Sequence, residues 1–251
     1  MNSARHVFVF FTILPLSRPG TIEDVARAGY LLPLVAAVLG GIEGLAGWGC
    51  ERLFGQPVAA AAILAMALLL TGFHHSDGLA DFGDAVMIHG DAARRIEVLK
   101  DRTMGIGATG AVFLTWLISW AALLQLLSSS GQGVRIVWSL MAVEISARLS
   151  MLMVIAVSAP SHEGSGSVFL ANLKGWRSFL GIVLSASGLA ALALVLPLTG
   201  IITAGAAAVF TGLILAAAGR HWFGGAGGDL MGAAVELGRM AALLGLVATL
   251  L

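Results

Sequence analysis

Seven stretches of this chain, at about residues 31–48, 57–73, 106–127, 135–158, 179–198, 201–218 and 230–250, stay apolar for the length of a membrane-crossing helix. Crossing the ~30 Å hydrocarbon layer takes roughly 20 such residues. No water meets a bare peptide group there, so only helices and closed barrels are admissible. The runs are rich in Leu, Ala and Gly and lack the in–out alternation of barrel strands. They predict an all-α, polytopic membrane bundle of about seven transmembrane helices. Of the 251 residues 58% are hydrophobic and only 11% charged, whereas a soluble domain carries ~25% charged residues. That excludes a cytosolic enzyme, a disordered chain and a basic nucleic-acid binder. The lone cysteine, Cys50, excludes a disulfide framework and a cysteine-held zinc. No fixed-period repeat or low-complexity linker divides the sequence, so residues 1–251 read as one domain.

The cations orient the bundle. With seven spans, one face collects Arg5, Arg18, Arg27, Arg94, Arg95, Lys100, Arg102, Lys174, Arg177 and Arg220, while the other holds only Arg52 and Arg135. The positive-inside rule makes the rich face cytoplasmic, in the inner membrane of the cell. Arg5 followed by Val7-Phe8-Val9-Phe10-Phe11 resembles the start of a signal peptide, but no small-residue cleavage site follows promptly. Pro15 and Pro19 oppose a continuing span, and Thr21 with Asp24 resembles a capping box. Residues 1–30 therefore read as an uncleaved interfacial segment.

Six of the 14 acidic residues fall in the 25 residues from Asp77 to Asp101: Asp77, Asp81, Asp84, Asp91, Glu97 and Asp101. Positions 77, 81 and 84 are spaced i, i+4, i+7, which places three carboxylates on one helical stripe. Like charges at that spacing repel and raise the pKa of at least one. A solvated acidic face is the plain explanation of such a run. Three details favour a site instead. Gly78, Ala80 and Gly83 beside the acids allow a ligand or another helix to approach closely. The stripe follows directly on the second span, at the membrane surface. The same region, 74–105, then supplies Arg94-Arg95 and Lys100-Asp101-Arg102, cations suited to phosphate oxygens. Carboxylates as sole ligands suit Mg²⁺ or Mn²⁺. With Arg and Lys nearby, such a metal equips a site for phosphoryl transfer.

His74 and His75 carry less weight, since a hard-metal site needs no histidine. His6, His89, His162 and His221 read as loop or interface residues without a role. Ser161 to Ser167 forms a Gly/Ser loop whose N–H groups suit an anion. Gly224-Gly225-Ala226-Gly227-Gly228-Asp229 reads either as a linker with Asp229 as helix N-cap, or as a turn bringing Asp229 to the phosphate site. Charged residues inside spans cost ~2.5–3.5 kcal/mol each on insertion scales. Glu236–Arg239 reads as an internal pair. Glu144–Arg148, deeper, is expected to face a polar cavity that receives substrate, and Glu43 to face the bundle interior.

The segment His75-x-Asp77-Gly78-Leu79-Ala80-Asp81-x-x-Asp84, followed by Arg94-Arg95 and by Leu99-Lys100-Asp101 with Gly105, resembles the signature of the adenosylcobinamide-GDP ribazoletransferase (cobalamin synthase) family. Phe11-Thr12-x-x-Pro15, Glu144 through Arg148, Gly164-x-Gly166 and Gly224-Gly225-x-x-Gly228-Asp229 resemble further family elements along the chain. It departs from the family at Arg102-Thr103, where Ser-Arg is frequent, and at Gly227, where Thr is frequent. The resemblance implies an integral membrane enzyme that uses Mg²⁺. Its substrates would be adenosylcobinamide-GDP and α-ribazole or the 5′-phosphate of α-ribazole, with release of GMP. On this expectation Asp77, Asp81, Asp84 and Asp101 hold metal, and Asp84 or Asp101 accepts the hydroxyl proton. Arg95 and Lys100 neutralise phosphate oxygens, and His75, Arg94, Glu144, Arg148 and Asp229 contribute to the substrate site. Its partners are these substrates and membrane lipid, with no nucleic acid and with a homo-oligomer left open. A CDP-alcohol phosphotransferase making phospholipid is disfavoured because Asp81, not Arg, follows Ala80. A transporter is disfavoured because most acids lie at one surface and the spans show no inverted repeat.

Overall fold

The computed structural model describes residues 2–14, 20–101, 103–130 and 133–250. Pro15, Arg18, Pro19 and Arg102 of the sequence reading lie outside these. Among the described residues the chain forms twelve α-helices in order: α1 (Asn2–Phe11), α2 (Ile22–Arg27), α3 (Leu32–Phe54), α4 (Gln56–Leu70), α5 (His74–Met87), α6 (Ala92–Leu99), α7 (Ile106–Ser130), α8 (Val134–Val157), α9 (Ser165–Leu173), α10 (Trp176–Leu192), α11 (Leu198–Phe223) and α12 (Gly228–Val247). The non-helical pairing described is one isolated parallel bridge, between Pro160 and Ala226.

Five helices are long and apolar enough to cross a membrane: α3 with the turn before it, α7, α8, α11 and α12. Two more crossings arise if the bent pairs α4–α5 and α9–α10 each count as one. The chain is an integral membrane protein. Both bent pairs refine the expected spans. The run at 57–73 stops as a helix at Leu70, because Gly72 and Phe73 both take left-handed backbone (φ 59° and 60°) and turn the chain by 92° into α5. The acids at 77, 81 and 84 therefore stand on a helix of their own, nearly perpendicular to α4. The run at 179–198 is broken after Leu192. Pro197, whose ring disfavours helix in the residue before it, becomes the N-cap of α11.

α8 is the axis, buried along most of its length, with α3, α10, α11 and α12 packed around it. Glycines set these distances. A Cβ on Gly40 of α3 would lie 2.4 Å from the Leu140 carbonyl oxygen, and one on Gly212 of α11 would lie 2.5 Å from that of Ser150. Lipid offers no hydrophobic drive between helices, so close backbone packing supplies the cohesion.

Charge supplies the rest. Glu144 accepts from Arg148 at 2.8 Å and from Arg239 of α12, which also pairs with Glu236 at 2.8 Å. Glu144 and Arg148 are 1% and 0% exposed, so they do not face the substrate cavity expected from sequence. Arg239, 95 residues from Glu144, closes them into an ion network between α8 and α12. Glu43 of α3 points inward as expected, facing both arginines and both of the other glutamates.

At the N-terminus Thr21 caps α2, its hydroxyl accepting from the Asp24 N–H at 3.2 Å.

Candidate active site

Three helix starts and one helix side meet at one end of the bundle. α5 lies against α12 and α7 because glycines remove the side chains that would hold them apart. An added Cβ on Gly78 would stand 2.8 Å from the Asp229 carbonyl oxygen, and one on Gly83 2.7 Å from that of Gly107. The start of α9 joins them: a Cβ on Gly166 would touch the Gly227–Gly228 backbone. Gly225 sits against Ala159 and Pro160, and the Ala226 N–H donates to the Ala159 carbonyl at 2.8 Å. The segment 224–228 is thus held in place, and it delivers Asp229 to the acids of α5. Gly227, not Asp229, is the N-cap of α12; Asp229 is the second residue of the helix.

The result is two adjoining cavities that share Asp77. One, of about 470 Å³, is lined by Asp77, Asp81, Asp84, Lys100, Asp101 and Trp116 among others. The other, of about 220 Å³, is lined by His74, His75, Asp77 and Asp229 with the rings of Phe11 and Phe169. Asp81 faces the charges of Asp229, Asp77 and Asp84, and burial with that crowding pushes its carboxyl up to about 7. Buried polar atoms without partners surround the acids: Ser76 Oγ and Trp116 Nε1 beside the larger cavity, and both ring nitrogens of His75 beside the smaller. His75 stacks on Phe11 (6.1 Å, 6°). Burial, and then the charges of Arg148 and Arg239, hold it well below the usual histidine range. His74 Nδ1 lies 2.8 Å from the Thr71 carbonyl oxygen.

The remaining predicted residues divide by position. Asp84 accepts from the Gly105 N–H at 2.7 Å and the Ala108 N–H at 2.8 Å, satisfying donors at the start of α7. Lys100 and Asp101 are exposed at the cavity wall. Asp101 accepts from the Thr103 N–H at 3.0 Å, which holds it below the usual carboxylate range. Arg95 donates to the Ala85 and Val86 carbonyls at 2.7 and 3.1 Å and lies over Trp222. It therefore caps the end of α5. Arg94 pairs with Glu97 at 2.8 Å in solvent. Glu144 and Arg148 remain in the bundle interior. The site also gains residues that the sequence reading passed over. His162, read there as having no role, places its ring against Gly227 and its Nδ1 2.8 Å from Ser161 Oγ. Burial, then Lys100, lowers its pKa. Phe169 and Ser165 of α9 line the smaller cavity. The signal pointing to them was the Gly164-x-Gly166 loop.

Among the described residues no three His, Cys, Asp or Glu side chains are closely enough grouped to hold one metal ion alone. What the site offers is several aspartates, from α5, α12 and the segment after α6, around two adjoining cavities.

Residues 3–247 match the family described as cobalamin-5-phosphate synthase. The chain belongs to that family. Its relatives include the adenosylcobinamide-GDP ribazoletransferase of Halorubrum lacusprofundi, 32% identical over 97% of this chain and 95% of the relative. That of Methanocella arvoryzae is 32% identical over 97% and 94%, and that of Methanococcoides burtonii 31% identical over 72% and 69%. No solved structure matches. The match runs through every helix from α1 to α12, so both the α5 acids and Asp229 fall within the region the family shares.

Proposed function

We propose that this chain transfers the phospho-cobinamide group of adenosylcobinamide-GDP to α-ribazole or its 5′-phosphate, releasing GMP. The observation that carries the reading is the convergence of Asp77, Asp81, Asp84 and Asp229, from two helices far apart in sequence, on two adjoining cavities, the larger walled also by Lys100 and Asp101, in a chain of this family. So many carboxylates at a surface cleft repel an anionic substrate unless a cation joins them.

That cation is Mg²⁺ in this reading. The donor set fits it: oxygen only, incomplete without further ligands, as a hard ion shared between one or two carboxylates, water and substrate phosphates requires. Asp77, Asp81 and Asp229 would share it with water and substrate phosphates, with Asp84 and Asp101 alongside. When bound, the metal neutralises the diphosphate oxygens and stabilises the charge that moves to the departing GMP.

The protein's own groups do the remaining work. A ribose hydroxyl attacks the phosphorus that carries the cobinamide arm; the bond from that phosphorus to the GMP oxygen breaks, and the hydroxyl proton passes to a carboxylate. Asp84 holds two N–H groups of α7 and positions α5. Asp101, kept ionised by Thr103 at the cavity wall, takes the proton, a role worth ~10²–10⁴-fold in rate. Lys100 neutralises a non-bridging oxygen. His75, kept neutral by burial, and the Phe11 and Phe169 rings give the smaller cavity an apolar wall on which a flat base or a corrin edge can rest. The cation-rich face, with the site on it, is cytoplasmic by the positive-inside rule, and the membrane is the inner membrane.

Purified protein in detergent, given adenosylcobinamide-GDP, α-ribazole and Mg²⁺, should release GMP. A panel of CDP-activated alcohols should give no CMP. GMP release absent from folded protein, or CMP release in its place, overturns the reading.

A further inference from the structure

Outside the acidic cleft lies a larger cavity, of about 770 Å³, between the ends of α8 and α11 and the α9–α10 connection. Its walls are of two kinds. Lys174, Arg220 and His221 form one, together with Ser158; Val157, Leu213 and small residues of α11 form the other. No acid lines it. Lys174 donates to the Ser158 carbonyl at 2.6 Å, whereas the Ser158 hydroxyl, on a residue 7% exposed, has no partner among the described residues. Arg220 has no ionic or hydrogen-bonding partner among the described residues. It stands in the last turn of α11, where a cation is favoured.

The apolar wall belongs to the lipid-facing side of its helix. Phe210 and Ile214, neighbours of Leu213 along α11, are 64% and 66% exposed, and Val157 at the end of α8 is 54% exposed. The cavity thus opens where the outer stripe of a membrane helix runs into two cationic side chains, Lys174 and Arg220, at the membrane surface. A freely diffusing anion would use the cationic wall and leave the apolar one wet. A molecule with a phosphate headgroup and acyl chains matches both.

We infer that this cavity is a binding site for an anionic phospholipid, with the phosphate held by Arg220 and Lys174 and the chains laid along Leu213 and Val157. A basic helix end attracts negatively charged headgroups in any case. A site differs from that diffuse attraction in depending on a particular arginine, and the test uses this.

Full-length protein in a neutral detergent is melted with phosphatidylglycerol, with phosphatidylcholine and with inorganic phosphate. Phosphatidylglycerol should raise the melting temperature and appear as a retained adduct in native mass spectrometry; the other two should do neither. Arg220→Gln, which breaks no bond in the free protein, should abolish the shift and the adduct. Arg52→Gln, on the opposite face, should keep both. An equal shift from phosphatidylcholine, a shift from inorganic phosphate, or a phosphatidylglycerol shift that survives Arg220→Gln would each overturn the inference.

Discussion

Gly78 rests directly on the backbone of Asp229: a β-carbon at position 78 would come within 2.8 Å of the carbonyl oxygen and 2.9 Å of the Cα. Backbone cannot swing aside as a side chain can, so Gly78→Ala must push α5 and α12 apart. Overpacking of this kind costs ~1–3 kcal/mol. GMP release should fall steeply in this variant while the helical circular dichroism in detergent is retained. Wild-type turnover would refute the close packing.

Asp84 and Asp81 should respond to the same amide replacement in opposite ways. Asp84→Asn exchanges a double acceptor for a group that turns an N–H₂ toward the Gly105 or Ala108 N–H, and a lost helix-end acceptor costs ~0.5–2 kcal/mol. Asp81→Asn removes a charge from a crowded group. It should abolish turnover while raising the melting temperature of metal-free protein. A lower melting temperature for Asp81→Asn would contradict the crowding.

Acidity should reveal the same crowding in the wild type. In the fold the Asp81 carboxyl is raised to about 7 from 3.8, so folding favours its protonated form. The stability this carries is complete below the unfolded value, about pH 4, and is lost as pH rises through about 7. Relative to Asp81→Asn, which shares the opposing titration of His75 and His162, the metal-free wild type should therefore lose melting temperature between about pH 5.5 and about pH 8, and Mg²⁺ should recover most of that loss by offsetting the charge that deprotonation exposes. Thermal melts at the two pH values with EDTA or Mg²⁺ measure it. A pH difference untouched by Mg²⁺ would count against metal at these carboxylates.

Removing Glu144 should damage the fold more than removing any other network acid. Glu144→Gln leaves Arg148 and Arg239 short of the carboxylate both bond, and an uncompensated buried charge costs ~3–5 kcal/mol. Glu43→Gln, whose Oε1 has no hydrogen bond to lose, should stay near wild type. Yield of detergent-soluble monodisperse protein and its melting temperature distinguish the two variants.

The helices and the acid stripe were legible because both are local. Apolar run length marks the spans, and the spacing of Asp77, Asp81 and Asp84 places them on one side of α5. What sequence could not show is contact across long separations. Nothing near Arg239 says that it reaches Glu144, and the internal pairing of Glu144 with Arg148 looked complete without it. Arg95 reads as a free cation until the end of α5 is seen to lie beneath it. His162 reads as a loop residue until Gly227 is seen to lack the side chain that would keep the ring away. The turn at Gly72–Phe73 escaped too, because a left-handed phenylalanine has no local signature.

The α5 acids and Asp229 stand more than 140 positions apart in the chain, and Asp229 rides on α12, the helix made latest of those that build the cleft. A nascent chain inserting in order carries its first carboxylates through most of translation without the residue that completes the cleft. Fragments ending before α12 would hold neither the pocket nor the arginine that closes the ion network, so competence for chemistry and locking of the bundle arrive together, with α12.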